Sequence, residues 1–295
     1  FKVLAPSRKI LALKQVKCDG DEHLLEAVTN EIALMELLKE RQLNAHIIGL
    51  VDSEVKLEQQ AVYLVMECGE IDLAHMLQRQ RGSERDGTLS ESFICMYWQQ
   101  MLAAVNAIHE ARVIHADLKP ANFLCVQGSL KLIDFGIAKQ SSADTTKIAR
   151  DSQVGTVNYM SPESITCEGD DSSAEGQFKL GRASDVWSLG CILYQMVYGH
   201  TPFSHLRTIY QKLQAVASPH EPAMNHGINY ECFKLQAIPD PSKAIAFPPT
   251  RNPYMVDVLR RCLQRQPTLR PSIPELLNHP LLRPELLDHP LLRPE

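Results

Sequence analysis

The feature that most constrains this chain is a change of period near residue 68. Before it, short apolar runs are spaced as strands: Phe1 to Leu4, Ile10 to Val16, Ile47 to Ser53 and Val62 to Glu67. A single helix-length segment, Asp21 to Arg41, separates the second from the third. After residue 68, apolar residues recur at three- and four-residue steps, as in Phe93, Tyr97, Met101, Ala104 and Ile108 behind a Ser90 cap. Such a chain closes neither one continuous sheet nor one helical bundle. It predicts the α+β class, with a small β-rich lobe over residues 1–68 and a large helical lobe over residues 69–283. The glycine-bearing stretch Glu67-Cys68-Gly69-Glu70 reads as the hinge between them.

Composition removes several alternatives. With 30 Lys and Arg against 35 Asp and Glu among 295 residues, the net charge of −5 excludes a charge-driven nucleic-acid binder. The longest apolar run, Val186 to Tyr198, is interrupted by Ser188 and Gln195 and is shorter than the ~18 residues a membrane span needs. Eight cysteines without a C-x-x-C pair read as free thiols of a reducing compartment. Residues 167–181 and 217–249 read as loop insertions. At the C-terminus, Pro274 to Arg283 recurs as Pro284 to Arg293, differing only in Asn278 against Asp288, so residues 284–295 read as a duplicated decapeptide. Phe1 to Leu4 reads as a strand with nothing before it, and the chain is expected to be a fragment.

Two constellations carry chemistry. Glu31 lies among Leu24, Ala27, Val28, Leu34, Met35 and Leu38, a carboxylate within an apolar helix stripe. Burying an unpaired charge costs several kcal/mol, so a cation is expected to meet it, and Lys14, on the same strand face as Ala12, is the candidate. The alternative, that Glu31 flanks the core and Lys14 is solvated, stays open at this point. The second constellation is His115-Ala-Asp117-Leu-Lys119-Pro-Ala-Asn122, followed by the hairpin signal Gln127-Gly128-Ser129, a strand from Leu130 to Ile133, and Asp134-Phe135-Gly136. His115 reads as a core histidine rather than a proton-transfer group.

Together these residues resemble the eukaryotic protein kinases, over nearly the whole chain. The resemblance implies a bilobal kinase-like fold that transfers phosphate from ATP with Mg²⁺ to Ser/Thr, and also Tyr, hydroxyls of protein substrates. It makes Lys14 the phosphate-binding lysine, Glu31 its helix partner, Asp117 the residue that orients the substrate hydroxyl, and Lys119 a neutraliser of the transferring phosphate. Asn122 and Asp134 become the metal ligands. Met66, Glu67, Cys68, Ala12 and Leu124 become the adenine pocket. Glu163 of Ser161-Pro-Glu163 is implied to pair with Arg270, and Asp185 to hold the catalytic loop.

Met66-Glu-Cys-Gly-Glu-Ile-Asp-Leu73, HADLKPANFL, LKLIDFGIA, Asp151 to Met160 and SDVWSLGCILY narrow the resemblance to the monopolar spindle family of dual-specificity kinases. That family implies a role in the mitotic spindle checkpoint, kinetochore and checkpoint proteins as partners, and a nuclear, kinetochore location. It also implies autophosphorylation in the activation segment, with Thr145, Thr146, Ser152 and Thr156 as candidates; neither nucleic acid nor membrane is an expected partner. Three positions depart from the general kinase pattern. Ala116 stands where Arg is usual, Ser161 stands where Ala is usual, and no G-x-G-x-x-G precedes Lys14, so the first strand and glycine-rich loop are expected upstream of Phe1. That last departure motivates the competing reading, a pseudokinase scaffold or an inactive truncated kinase.

Overall fold

The computed structural model describes residues 1–83, 87–135, 157–165, 181–217 and 252–283. They fall into two compact units. One holds Phe1–Gly82, Gln100–His115 and the residues from Pro120 to 135; the other holds Ser83–Gln99, Ala116–Lys119 and the described residues from 157 on.

The first unit is built on an antiparallel sheet of β1 (Lys2–Leu4), β2 (Ile10–Lys17), β3 (Leu50–Lys56) and β4 (Ala61–Glu67), in the order β1-β2-β4-β3. Helix α1 (Glu22–Glu40) starts at Asp21, whose carboxylate accepts the Leu24 N–H at 3.0 Å. Val28 and Ile32 of α1 pack with Cys18, Val62 and Leu64 into one apolar cluster, and Met66 lies against its edge. The third strand starts at Leu50 rather than at Ile47, because Ile47 and Ile48 are used elsewhere. Both are buried, Ile47 bridging to Leu132 and the Ile48 N–H donating to the Leu132 carbonyl at 3.0 Å.

A second sheet in the same unit runs β5 (Ile71–Asp72), β6 (Phe123–Val126), β7 (Ser129–Leu132). The helical lobe expected over residues 69–283 does not begin with helix, because Ile71 and Asp72 pair with Cys125 and Leu124 first. The Asp72 carboxylate then accepts the His75 N–H at 3.1 Å and starts α2 (Leu73–Ser83). Between β6 and β7, Gln127 and Gly128 both take positive φ, 52° and 81°, as a tight two-residue hairpin requires.

Helix α3 (Glu91–Glu110) buries Ile94, Trp98, Met101, Leu102, Val105 and Ile108. Of the expected stripe, Met101, Ala104 and Ile108 are fully buried, and the buried face is wider than the stripe, taking in Ile94, Trp98, Leu102 and Val105 as well; Phe93 and Tyr97 are half-buried and stack edge to face, ring centroids 4.6 Å apart.

The second unit is helical: α4 (Pro162–Ile165), α5 (Arg182–Tyr198), α6 (Ile209–Ala217), α7 (Pro253–Cys262) and α8 (Ile273–Leu277). The residues that interrupt the apolar run of α5 satisfy polar groups of the neighbouring turn. Ser188 Oγ donates to the Tyr159 carbonyl at 2.8 Å, and Gln195 Oε1 accepts the Tyr159 hydroxyl at 2.7 Å. Gly190 is required by contact: a Cβ there would lie 2.7 Å from Cys262 Cβ on α7. The first decapeptide copy forms α8, opened by a reciprocal Ser272–Glu275 capping box; the second copy lies outside the described residues. Among the described residues, Cys18, Cys68, Cys95, Cys125, Cys191 and Cys262 are free thiols, and no helix is long and apolar enough to cross a membrane.

Candidate active site

In the first unit, strand β2 places Lys14 opposite Leu64, and its ammonium lies 3.7 Å from Glu31 Oε1 and 2.7 Å from Asp134 Oδ1. Glu31 is 8% exposed. The carboxylate on the apolar face of α1 is therefore met by the lysine of the neighbouring strand. Burial pulls the Lys14 pKa down, but Glu31 and Asp134 outweigh it, and the ammonium is held more firmly than an ordinary lysine. Glu31 is pushed above the usual carboxylate range, by burial first and by Asp134, with Lys14 opposing.

Asp134 follows β7 with φ 54°, a left-handed conformation rare outside glycine. The Ile133 N–H donates to the Asn122 carbonyl at 2.8 Å, which joins the turn Pro120–Asn122 to the strand leading into Asp134. Phe135 is fully buried, and Gly136 lies outside the described residues. Among the described residues no three His, Cys, Asp or Glu side chains cluster as a metal cage. An amide oxygen from Asn122 and a carboxylate from Asp134, itself 57% exposed, are hard oxygen donors. They fit Mg²⁺, which takes one or two protein oxygens and completes its shell with water and phosphate.

Met66 stands opposite Ala12 in the β2–β4 register, and Glu67 opposite Leu11. Cys68 is half-buried beside them. Of the neighbours of this segment, Gly69 belongs to the stretch read as the hinge, while Lys131 and Gly49 carry no such reading in the sequence. Gly69 leaves no room for a side chain, because a Cβ would lie 2.3 Å from Leu124 Cγ. The Glu67 carboxylate accepts Lys131 Nζ at 2.6 Å and the Gly49 N–H at 2.9 Å, both on Oε2. A glycine beside three hinge-like residues was the only local signal for the first. Nothing local pointed to Lys131 or Gly49.

In the second unit, Lys119 Nζ lies 3.2 Å from Asp117 Oδ2. Ala116, just before them, has φ 63°, and its N–H donates to Asp185 Oδ1 at 2.9 Å. Asp185 itself is wholly buried near the start of α5. Asp117 also lines a cavity of about 10 Å³, room for one water, with Ser161 and Ser188. The buried Ser161 Oγ has no partner among the described residues. Arg270 and Glu163 form a two-pronged pair, Nη1 to Oε1 at 2.6 Å and Nη2 to Oε2 at 2.8 Å, with the guanidinium 5.1 Å from the Trp187 ring centre. His115 is buried. The candidate phosphosites Thr145, Thr146, Ser152 and Thr156 lie outside the described residues.

The chain is 47% identical over 287 residues to the probable serine/threonine-protein kinase mps1 of Dictyostelium discoideum, an alignment covering 96% of this chain and 26% of that protein. It is 45% identical to the serine/threonine-protein kinase mph1 of Schizosaccharomyces pombe, over 96% of this chain and 40% of that one. It is 43% identical to the dual specificity protein kinase TTK of Mus musculus, over 96% and 30%. The chain thus spans less than half the length of these relatives. The family model of the protein kinase domain matches residues 1–282. With that match over almost its whole length, and with an α+β architecture of sheet followed by helices, the chain belongs to the protein kinase family.

Proposed function

We propose that this chain transfers the terminal phosphoryl group of ATP, with Mg²⁺, to Ser and Thr hydroxyls of protein substrates, with Tyr as a further acceptor. The observation that carries the reading is the convergence of Lys14 and Asp134 at 2.7 Å beside the buried Glu31. A cation held between two carboxylates, one buried and one exposed, suits a site that receives a polyphosphate and its metal. In this reading Lys14 binds the α- and β-phosphates, and Glu31 keeps its ammonium in place. Asn122 and Asp134 would hold the metal, which would supply neutralisation of the phosphate charge. Asp117 orients the acceptor hydroxyl and takes its proton, and Lys119, within 3.2 Å of that carboxylate, offsets charge on the group in transfer. Ala12, Met66, the Glu67 and Cys68 backbone and Leu124 enclose the adenine. Glu163, Asp185 and Arg270 are positioning residues.

The similarity to mps1, mph1 and TTK supports a finer reading. In it the chain acts in the spindle checkpoint, meets kinetochore proteins in the nucleus, and autophosphorylates at Thr145, Thr146, Ser152 or Thr156. The lobes divide at 68/69. A scaffold would have no physical need for Lys14, Glu31, Asp117, Lys119, Asn122 and Asp134 together. The test is phosphate incorporation by intact mass after incubation with Mg-ATP, beside Asp117→Asn. Incorporation in the parent and a loss of at least about a hundredfold in the variant is expected; equal incorporation in both refutes the assignment.

A further inference from the structure

The Glu67 side chain is placed in a way that its assignment as a hinge residue, acting through backbone groups, does not require. Its Oε2 accepts Lys131 Nζ at 2.6 Å and the Gly49 N–H at 2.9 Å, while its own N–H donates to the Gly49 carbonyl at 3.0 Å. Gly49 has no space for anything larger: a Cβ would lie 2.9 Å from Glu67 Cδ, displacing the carboxylate. Lys131 is 16% exposed at its side chain, on β7, a strand that ends two residues before Asp134. Across the β6–β7 pair its direct partner is Leu124, the residue that fills the space against Gly69. One cross-strand pair therefore grips the segment 67–69 at both ends, Lys131 through the Glu67 carboxylate and Leu124 through contact with Gly69.

We propose that Lys131 is a positioning residue for nucleotide binding, which ties the adenine-binding segment at Glu67 to the strand that leads into Asp134. The inference rests on the reading of this site as an ATP site. Adenine is recognised by backbone groups whose direction is set by the chain itself, so a small rotation of residues 67–69 costs affinity without touching the reacting atoms. A charge-assisted hydrogen bond from an enclosed ammonium, with a second bond from Gly49, opposes that rotation. Holding both ends of the nucleotide from one strand also fixes their separation. Loss of the tie should therefore weaken ATP binding while leaving the rate of the bound complex nearly intact.

The experiment measures KM for ATP and kcat in the full chain for the parent, Lys131→Met, Lys131→Arg and Gly49→Ala, with equilibrium binding of a fluorescent ATP analogue beside each. Lys131→Met and Gly49→Ala should raise KM and the analogue Kd about five- to tenfold, with kcat within about twofold. Lys131→Arg, which keeps the charge and the donor, should restore most of the loss. Unchanged KM and Kd in a folded Lys131→Met, or kcat falling in step with stability while KM holds, overturns the inference and leaves the ATP reading standing. A parent that neither binds the analogue nor transfers phosphate overturns the reading itself and the inference with it.

Discussion

Replacing Arg270 by Met is the sharpest test of how the second unit is held together. The guanidinium makes two short bonds to Glu163 and donates to three carbonyls, Gln264 at 2.7 Å, Ala183 at 2.8 Å and Arg265 at 3.1 Å. Its side chain has no exposed surface, and that of Glu163 has 11%. The two partners differ in what each leaves behind. Without Arg270, a largely enclosed carboxylate keeps the Ser184 hydroxyl at 2.8 Å, and three carbonyls lose a donor. Breaking a buried pair in this way costs about 3–5 kcal/mol. Glu163→Gln instead leaves the guanidinium on its three carbonyls and an amide oxygen still able to accept one bond, for a loss of about 1–2 kcal/mol. Thermal unfolding followed by circular dichroism should show Arg270→Met melting roughly 6–20 °C below the parent, and Glu163→Gln well above Arg270→Met. An Arg270→Met loss under about 1 kcal/mol, or a larger loss for Glu163→Gln, would refute the reasoning.

Other outcomes follow from the same geometry. Burial raises the Glu163 carboxyl, but Arg270 and Ser184 outweigh it and hold it below its ordinary value of 4.5. Its folded pKa is depressed, so the stabilisation is full above pH 4.5 and is lost as pH falls through the lower folded value. Melting temperature measured against pH should show an acid limb that flattens in Glu163→Gln; identical limbs would count against it. Gly69→Ala must push Leu124 aside and should cost about 1–3 kcal/mol, read as a lowered melting temperature, together with weaker binding of an ATP analogue. Burial pushes the Cys191 thiol far up and the Cys262 thiol to about 12, so neither should react with iodoacetamide at pH 8 by peptide mass mapping until the chain unfolds.

What the sequence made legible was whatever broke its own local pattern. Glu31 stands out because a carboxylate within an apolar helical stripe must be answered by a cation, and Lys14 was the nearest one on a strand. Gln127-Gly128 announces its hairpin because few residues tolerate two successive positive φ values. Lys131 breaks no pattern: between Leu130 and Leu132 it reads as an ordinary outward-facing strand residue, and its partner lies 64 positions away. Ile47 and Ile48 read as the start of β3 because both are β-branched, and their pairing with Leu132 is settled only by tertiary contact. Two-residue β5 is too short to show a period. On α3, Phe93 and Ile94 are both apolar neighbours, and packing around Trp98 decides which is buried.

The left-handed backbone at Ala116 has a consequence for which residues that position can tolerate. For an L-residue other than glycine this conformation costs roughly 1–2 kcal/mol, and the bond from its N–H to the buried Asp185 offsets part of that. Selection at position 116 therefore acts through chain geometry rather than through any group the side chain presents. Glycine and asparagine should be accepted there and valine, isoleucine and threonine rejected. A saturation library scored for folding stability would record at this position the shape of the loop, and the same library in an Asp185→Ala background, which lacks the acceptor of the residue 116 N–H, should lose much of that discrimination.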